Sequence, residues 1–164
     1  AGLQVLAYTV NEAAEFARDV ARTVESRMRE ERIAFTVDLE EARGSFEADA
    51  EALASALVNI LSNAVDACAA DASGRPHRVD LRARTLDGTV TFEVEDNGVG
   101  MDPETVQNLF ALFFSTKGKS GTGLGLFISR KIVSQHGGRI QVHSEKGVGS
   151  RFTVTLPARH NPQS

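Results

Sequence analysis

Two asparagines, Asn59 and Asn63, stand four residues apart in a segment whose apolar residues recur at helical spacing. At ~100° per residue they fall one turn apart on one face. That face lies away from the stripe Leu53, Leu57, Ile60, Leu61, Ala64, Val65 and Cys68. Asparagine is a mediocre helix former, so the pair admits two readings. One is a solvated helix face. The other is a Mg²⁺ site, because an amide supplies a hard carbonyl oxygen and Mg²⁺ takes one or two protein ligands beside phosphate oxygens and water.

A second group is Asp96-Asn97-Gly98-Val99-Gly100, directly after an apolar–polar alternation. A carboxylate at a strand end can accept a hydrogen bond from the exocyclic amine of adenine, and glycines beside it let backbone approach a flat base. The competing reading is a tight turn closed by an Asx bond. A dinucleotide-binding fingerprint is excluded, since its third glycine would fall at Pro103.

The third group, Gly121-Thr122-Gly123-Leu124-Gly125-Leu126, opens a helix. Free N–H groups and the positive end of the helix dipole favour phosphate there; the alternative is a flexible loop running into a helix. The P-loop pattern is missing. Just upstream, Phe110, Phe113 and Phe114 read as core aromatics before Ser115-Thr116-Lys117, where Lys117 can reach a phosphate as a mobile point charge.

The elements that must position these groups follow from periodicity. Asn11 is the expected N-cap of a first helix carrying Phe16, Val20, Val24 and Met28 and ending near Glu31. Ile33 to Leu39 reads as a strand, and a second helix spans about Asp49 to Ala70. The 71–76 segment is a loop. Val79–Thr85 and Val90–Glu95 alternate around Asp87-Gly88, a hairpin signal. Asp102-Pro103 starts a short helix. A further helix ends near His136 before Gly137-Gly138, and strands at Arg139–Ser144 and Arg151–Leu156 flank a turn at Gly147. The mixture without strict alternation predicts an α+β fold, a two-layer sandwich with helices on one sheet face.

At 164 residues the chain fits a single domain able to bury its own core. Its composition, 41% hydrophobic and 24% charged, is that of a globular protein. A net charge of −4 without a basic run argues against nucleic acid. The lone Cys68 excludes an internal disulfide and fits a reducing cytosol. No stretch is expected to supply the ~18 apolar residues of a membrane span, and no signal peptide is visible. Ala1 in place of a start Met suggests a piece of something larger.

In this order and spacing the groups resemble the ATP-binding catalytic domain of sensor histidine kinases, within the gyrase, chaperone, kinase and mismatch-repair ATPase superfamily. Asn59-Ile60-Leu61-Ser62-Asn63-Ala64 matches the family's Asn box, and Asp96 to Met101 its first glycine box. Leu109-Phe110 through Phe113-Phe114-Ser115-Thr116-Lys117 looks like the Phe box, and Gly121 to Leu126 matches the second glycine box. His136-Gly137-Gly138 and Gly147-Val148-Gly149-Ser150 are similar to the closing elements. The resemblance covers roughly residues 9–157. It implies a Bergerat-type fold with a mixed five-stranded sheet layered on helices.

It also implies roles. Asn63 should coordinate Mg²⁺ and Asn59 support metal and phosphates. Asp96 should bind the adenine amine in a pocket shaped by Gly98 and Gly100. Gly121, Thr122, Gly123, Leu124, Gly125 and Leu126 should lie along the phosphates, with residues 115–123 as a lid that nucleotide orders. Two departures stand out. Ala111-Leu112 replaces the usual Glu-Pro of the Phe box, and Asp66 stands where some members carry a basic residue, leaving more to Lys117 and the metal.

The implied activity is Mg²⁺-ATP binding and phosphoryl donation to a histidine on a separate dimerisation domain, with a response regulator served indirectly. The phosphoacceptor helix with its His-Glu pair is not among these residues. His136 reads as structural, and His77, His143 and His160 sit in no acceptor-like context. Neutral imidazole is a competent nucleophile near pH 7. Hydrolytic relatives carry a Glu where this chain has Asn59, and an amide cannot act as a general base, which weighs against an ATP-driven clamp. An anti-sigma-type serine kinase and a nucleotide-sensing module without transfer activity are the alternatives. A monomeric, cytoplasmic domain without membrane contact is expected.

Overall fold

The computed structural model describes residues 5–111 and 125–160. Strand β1 (Thr9–Glu12) pairs antiparallel with β3 (Ser45–Ala48) in a small two-stranded sheet. The main sheet has the order β2-β4-β5-β7-β6, from β2 (Ala34–Glu41), β4 (Arg78–Leu86), β5 (Thr89–Asp96), β6 (Arg139–Glu145) and β7 (Gly149–Pro157). Among the described residues, only the β2–β4 pairing is parallel. The long crossover between those two strands carries β3 and helix α2 (Ala50–Ala69). This is the expected mixed five-stranded α+β sandwich, with a two-stranded sheet the periodicity did not announce.

Helix α1 (Ala13–Glu30) buries Phe16, Val20, Val24 and Met28, the stripe that predicted it. Its N-cap is not Asn11. Asn11 lies in β1 with its backbone opposite Phe46, its side-chain amide donates to the Thr9 carbonyl at 2.9 Å, and Glu12 precedes the helix without a side-chain cap. Strand pairing across the chain thus overrides a local capping preference. Asp49, at the expected start of the second helix, caps α2, its carboxylate accepting from the Ala52 N–H at 3.2 Å. Asp102 caps α3 (Pro103–Asn108) by accepting from Thr105 N–H at 2.8 Å. The β4–β5 hairpin turns on Asp87 and Gly88, both with positive φ (51° and 77°), which suits a tight primed turn.

The core forms where one sheet face meets the helices. Val79, Leu81 and Ala83 of β4, Val90, Phe92 and Val94 of β5, and Phe152, Val154 and Leu156 of β7 point inward against α1 and α2. Phe16, Phe46 and Phe92 form an aromatic triangle with centroid separations of 5.4, 5.5 and 5.8 Å. Each such side chain contributes about 1.5–3 kcal/mol of burial. The opposite sheet face carries charge, including an Arg82–Glu93 pair at 2.6 Å.

The expectation of no membrane-length apolar stretch needs correcting for α2, which is long and apolar enough to qualify by composition. Its Leu53, Leu57, Ile60, Leu61 and Val65 are instead almost fully buried against the sheet and the neighbouring helices. It is the core helix of the sandwich.

Candidate functional site

Alternation along β5 puts Val90, Phe92, Val94 and then Asp96 on the core side, so the strand ends by burying a carboxylate that is only 4% exposed. Its Oδ1 accepts the Gly98 N–H at 2.8 Å, the Asx turn that the tight-turn reading expects. Its Oδ2 is buried and, among the described residues, has no hydrogen-bond partner. Burial pushes the Asp96 pKa up to about 6, although backbone N–H groups of Gly98 and Ser150 pull the other way. Buried polar atoms are rarely left unpartnered, and a hydrogen-bond donor from a ligand would satisfy this oxygen.

The glycines after Asp96 let the loop lie flat on neighbouring backbone. A Cβ on Gly98 would stand 2.5 Å from the Ala67 carbonyl carbon, and Val99 donates its N–H to the Ala67 carbonyl at 2.9 Å. Gly100 has φ of 69°, and a Cβ there would overlap the Glu145 carbonyl. The loop is therefore clamped between α2 and the β6–β7 turn, where Gly147 N–H reaches the Val99 carbonyl at 2.7 Å.

Asn59 and Asn63 sit half-buried on α2. The Asn59 amide donates to the Gly125 carbonyl at 3.4 Å, at the first turn of α4 (Gly125–Gln135). Ser129 donates to the carbonyls of Ala56 and Gly125 at 3.0 and 2.9 Å, tying that turn to α2. Residues 59, 63 and 67 follow one another at four-residue intervals, so one helix face runs from the α4 N-terminus past Asn63 to the Asp96 loop. Eight residues of α-helix span about 12 Å, a distance suited to a ligand with a flat base at one end and phosphates at the other.

One turn beyond Asn63, Asp66 pairs with Arg27 of α1 at 2.6 Å. A guanidinium from another helix thus stands where the sequence offered only a carboxylate. Leu126 packs against the core from the start of α4. Lys117, Gly121, Thr122, Gly123 and Leu124, with the expected lid, lie outside the described residues. A shallow depression of about 480 Å³ opens beside the strand ends, lined by Arg78, Asn97, His143 and Arg151 among others; it touches Asp96 but neither Asn59 nor Asn63, so it lies apart from the α2 face that carries them.

Among the described residues no group of three or more His, Cys, Asp or Glu forms a metal cage. What α2 offers is amide oxygen. That donor set suits a hard cation held mainly by phosphates and water.

His136 is structural, as expected. It is buried, its Nδ1 donates to the Ile132 carbonyl at 2.8 Å, and its Nε2 accepts the Asp49 N–H at 3.0 Å. The sequence reading missed Arg75, whose guanidinium donates to the carbonyls of Asn97, Gly98 and Gly147. Its partners are backbone atoms, which leave no side-chain spacing to read.

Residues 48–160 match the family described as histidine kinase-, DNA gyrase B- and HSP90-like ATPases. The signal transduction histidine-protein kinase AtoS of Escherichia coli K12 is 40% identical over 135 residues, 80% of this chain and 21% of that protein. The catalytic domain of histidine kinase ThkA superposes with a TM-score of 0.80 at 28% identity, covering 94% of this chain and 99% of that one. Full-length ShkA in complex with AMPPNP gives a TM-score of 0.84 at 28% identity, covering 98% of this chain and 33% of that one. The chain thus spans about a fifth of the AtoS sequence it matches.

Proposed function

The chain belongs to the histidine kinase-, DNA gyrase B- and HSP90-like ATPase family, and from that premise we propose that it binds Mg²⁺-ATP and donates the γ-phosphoryl group to a histidine on a separate dimerisation domain, in two-component signal transduction. The observation that carries this reading is the buried Oδ2 of Asp96, without a hydrogen-bond partner among the described residues, at one end of a helix face whose other end holds Asn59 and the α4 N-terminus.

In this reading Asp96 Oδ2 accepts the exocyclic amine of adenine, while Oδ1 stays committed to Gly98. Gly98 and Gly100 hold the loop close enough to α2 and the β6–β7 turn for the carboxylate to face the base. Asn63 contributes an amide oxygen to Mg²⁺, and Asn59 supports the metal and phosphates from one turn earlier. The α4 N-terminus, at Gly125 and Leu126, faces the phosphates through backbone N–H groups and the helix dipole, and Gly121, Thr122, Gly123 and Leu124 are proposed as further phosphate-binding residues. Lys117 adds a point charge. When bound, Mg²⁺ supplies charge neutralisation on the transferring phosphoryl group.

Phosphoryl transfer asks for positioning and charge stabilisation more than for covalent help, and amides, dipoles and one carboxylate meet that demand. Activation of water would need a general base, which the Asn59 amide cannot be. An imidazole brought by the dimerisation domain needs no such base near pH 7, and in this reading it takes the phosphoryl group, which then passes to a response regulator. The isolated domain acts as a monomer on the ATP-supplied, cytoplasmic side of the cell.

Incubating the chain with labelled ATP, Mg²⁺ and a histidine-bearing dimerisation helix pair tests this. Acid-labile label on the helix pair is the expected result. Acid-stable phosphoserine, or no label, contradicts it.

A further inference from the structure

Three backbone carbonyls converge on the guanidinium of Arg75. Nη2 donates to the carbonyls of Asn97 and Gly98 at 2.8 Å each, Nε to Asn97 at 3.1 Å, and Nη1 to Gly147 at 2.8 Å. Asp71 Oδ2 lies 3.3 Å from Nε, and is itself bonded by Ser73 Oγ and His77 Nε2 at 2.7 Å each. The Asn97 side chain pins the same stretch from its other side, accepting the Arg78 N–H at 2.8 Å and donating to the Pro76 carbonyl at 3.0 Å. Grouped carbonyl oxygens repel one another, and the guanidinium, with five N–H donors in a fixed planar fork, satisfies three of them at once.

The consequence reaches Asp96 through one peptide plane. The Asn97 carbonyl and the Gly98 N–H belong to the same trans peptide and point in opposite directions. Arg75 holds the carbonyl end, and Asp96 Oδ1 accepts the N–H end at 2.8 Å. Fixing that plane fixes which carboxylate oxygen is engaged and which is left for a ligand.

We propose that Arg75 is a positioning residue for base recognition: it orients the Asn97–Gly98 peptide so that Asp96 presents its second oxygen to the exocyclic amine of adenine. This rests on the nucleotide reading given above. It assigns to a loop outside the recognised motifs the task of keeping the acceptor aimed, and Gly147 extends the clamp to the β6–β7 turn.

The test uses this chain with ADP and GDP as probes, comparing the parent with Arg75→Ala and Arg75→Lys. In folded R75A, ADP affinity falls about tenfold, the scale of one well-placed hydrogen bond. The preference for ADP over GDP falls with it. R75K, reaching fewer carbonyls, lies between. A purely structural role would lower the melting temperature and leave the base preference of the folded protein intact. Unchanged ADP affinity in folded R75A, or equal losses for ADP and GDP, overturns the proposal. If R75A does not fold, R75K decides by the same criterion. A parent that binds neither nucleotide removes the nucleotide reading, and this proposal with it.

Discussion

Gly98 lies so close to α2 that a methyl group on its Cα would stand 2.5 Å from the Ala67 carbonyl carbon and 2.6 Å from its oxygen. Both are backbone atoms of the last turn of α2, so no side chain can swing aside. Gly98→Ala must lift the Asp96 loop from α2 and strain the Val99–Ala67 hydrogen bond. Overpacking of this kind costs about 1–3 kcal/mol, a drop of several degrees in Tm for a chain of this size. Thermal melts and nucleotide titration of G98A should show both losses. A variant with parental Tm and affinity would mean that the loop does not need this contact.

Asp96 gives a pH signature whose sign follows from its burial. Its carboxyl titrates near about 6 in the folded chain against 3.8 as the ordinary value. Below about pH 4 it is protonated in both folded and unfolded chains and costs nothing. Between about 4 and 6 the unfolded chain ionises first, so folding stability falls as pH rises, by up to about 3 kcal/mol from this group. Asp49, held low by its bond from the Ala7 N–H, contributes in the opposite sense. The clean measure is therefore a difference. The stability of Asp96→Asn relative to the parent should climb between about pH 4 and 7, read from denaturant midpoints. A flat difference contradicts the buried, ionised carboxylate.

Nucleotide affinity should run the other way. An acceptor is needed at Oδ2, so ADP binding should weaken as pH drops through about 6. Binding isotherms across that range check it, and a constant affinity would detach base recognition from Asp96.

Asn63→Ala should keep the fold, since Asn63 is half-buried on a helix whose core residues lie on the other face. Affinity for nucleotide in excess Mg²⁺ should fall while affinity in chelator stays put. Loss of one charge-assisted contact is worth about tenfold or more. Parent affinity that is indifferent to Mg²⁺ would remove the metal assignment.

His136→Ala separates structure from site. It takes the acceptor from the Asp49 N–H at the start of α2 and empties a buried ring position, at a cost of about 1–3 kcal/mol. Folded H136A should still bind nucleotide as the parent does, measured below its lowered Tm.

How much the chain announced depends on how local each signal is. Helix α2, the Asp87-Gly88 hairpin and the Asp102-Pro103 helix start are written in stripes, alternation and capping within a few residues, and the structure repeats them. Strands β1 and β3 have four residues each and pair across more than thirty positions, so their partnership leaves no periodic trace. Asn11 carries a local capping signal for a helix it does not cap, because its strand partner Phe46 lies far along the chain. Asp96 was legible as a strand-end carboxylate among glycines, but which backbone those glycines touch depends on tertiary packing. Arg75 and Arg27 act through loop carbonyls and a distant helix, and neither has a spacing that betrays its partner.

Whether Asp96 grips the base is decided by calorimetric titration of the parent and D96N at neutral pH with a non-hydrolysable ATP analogue and Mg²⁺. A saturable heat for the parent and an affinity on the order of a hundredfold weaker, or no heat, for folded D96N is the predicted pair. Equal affinity for the two proteins would contradict it.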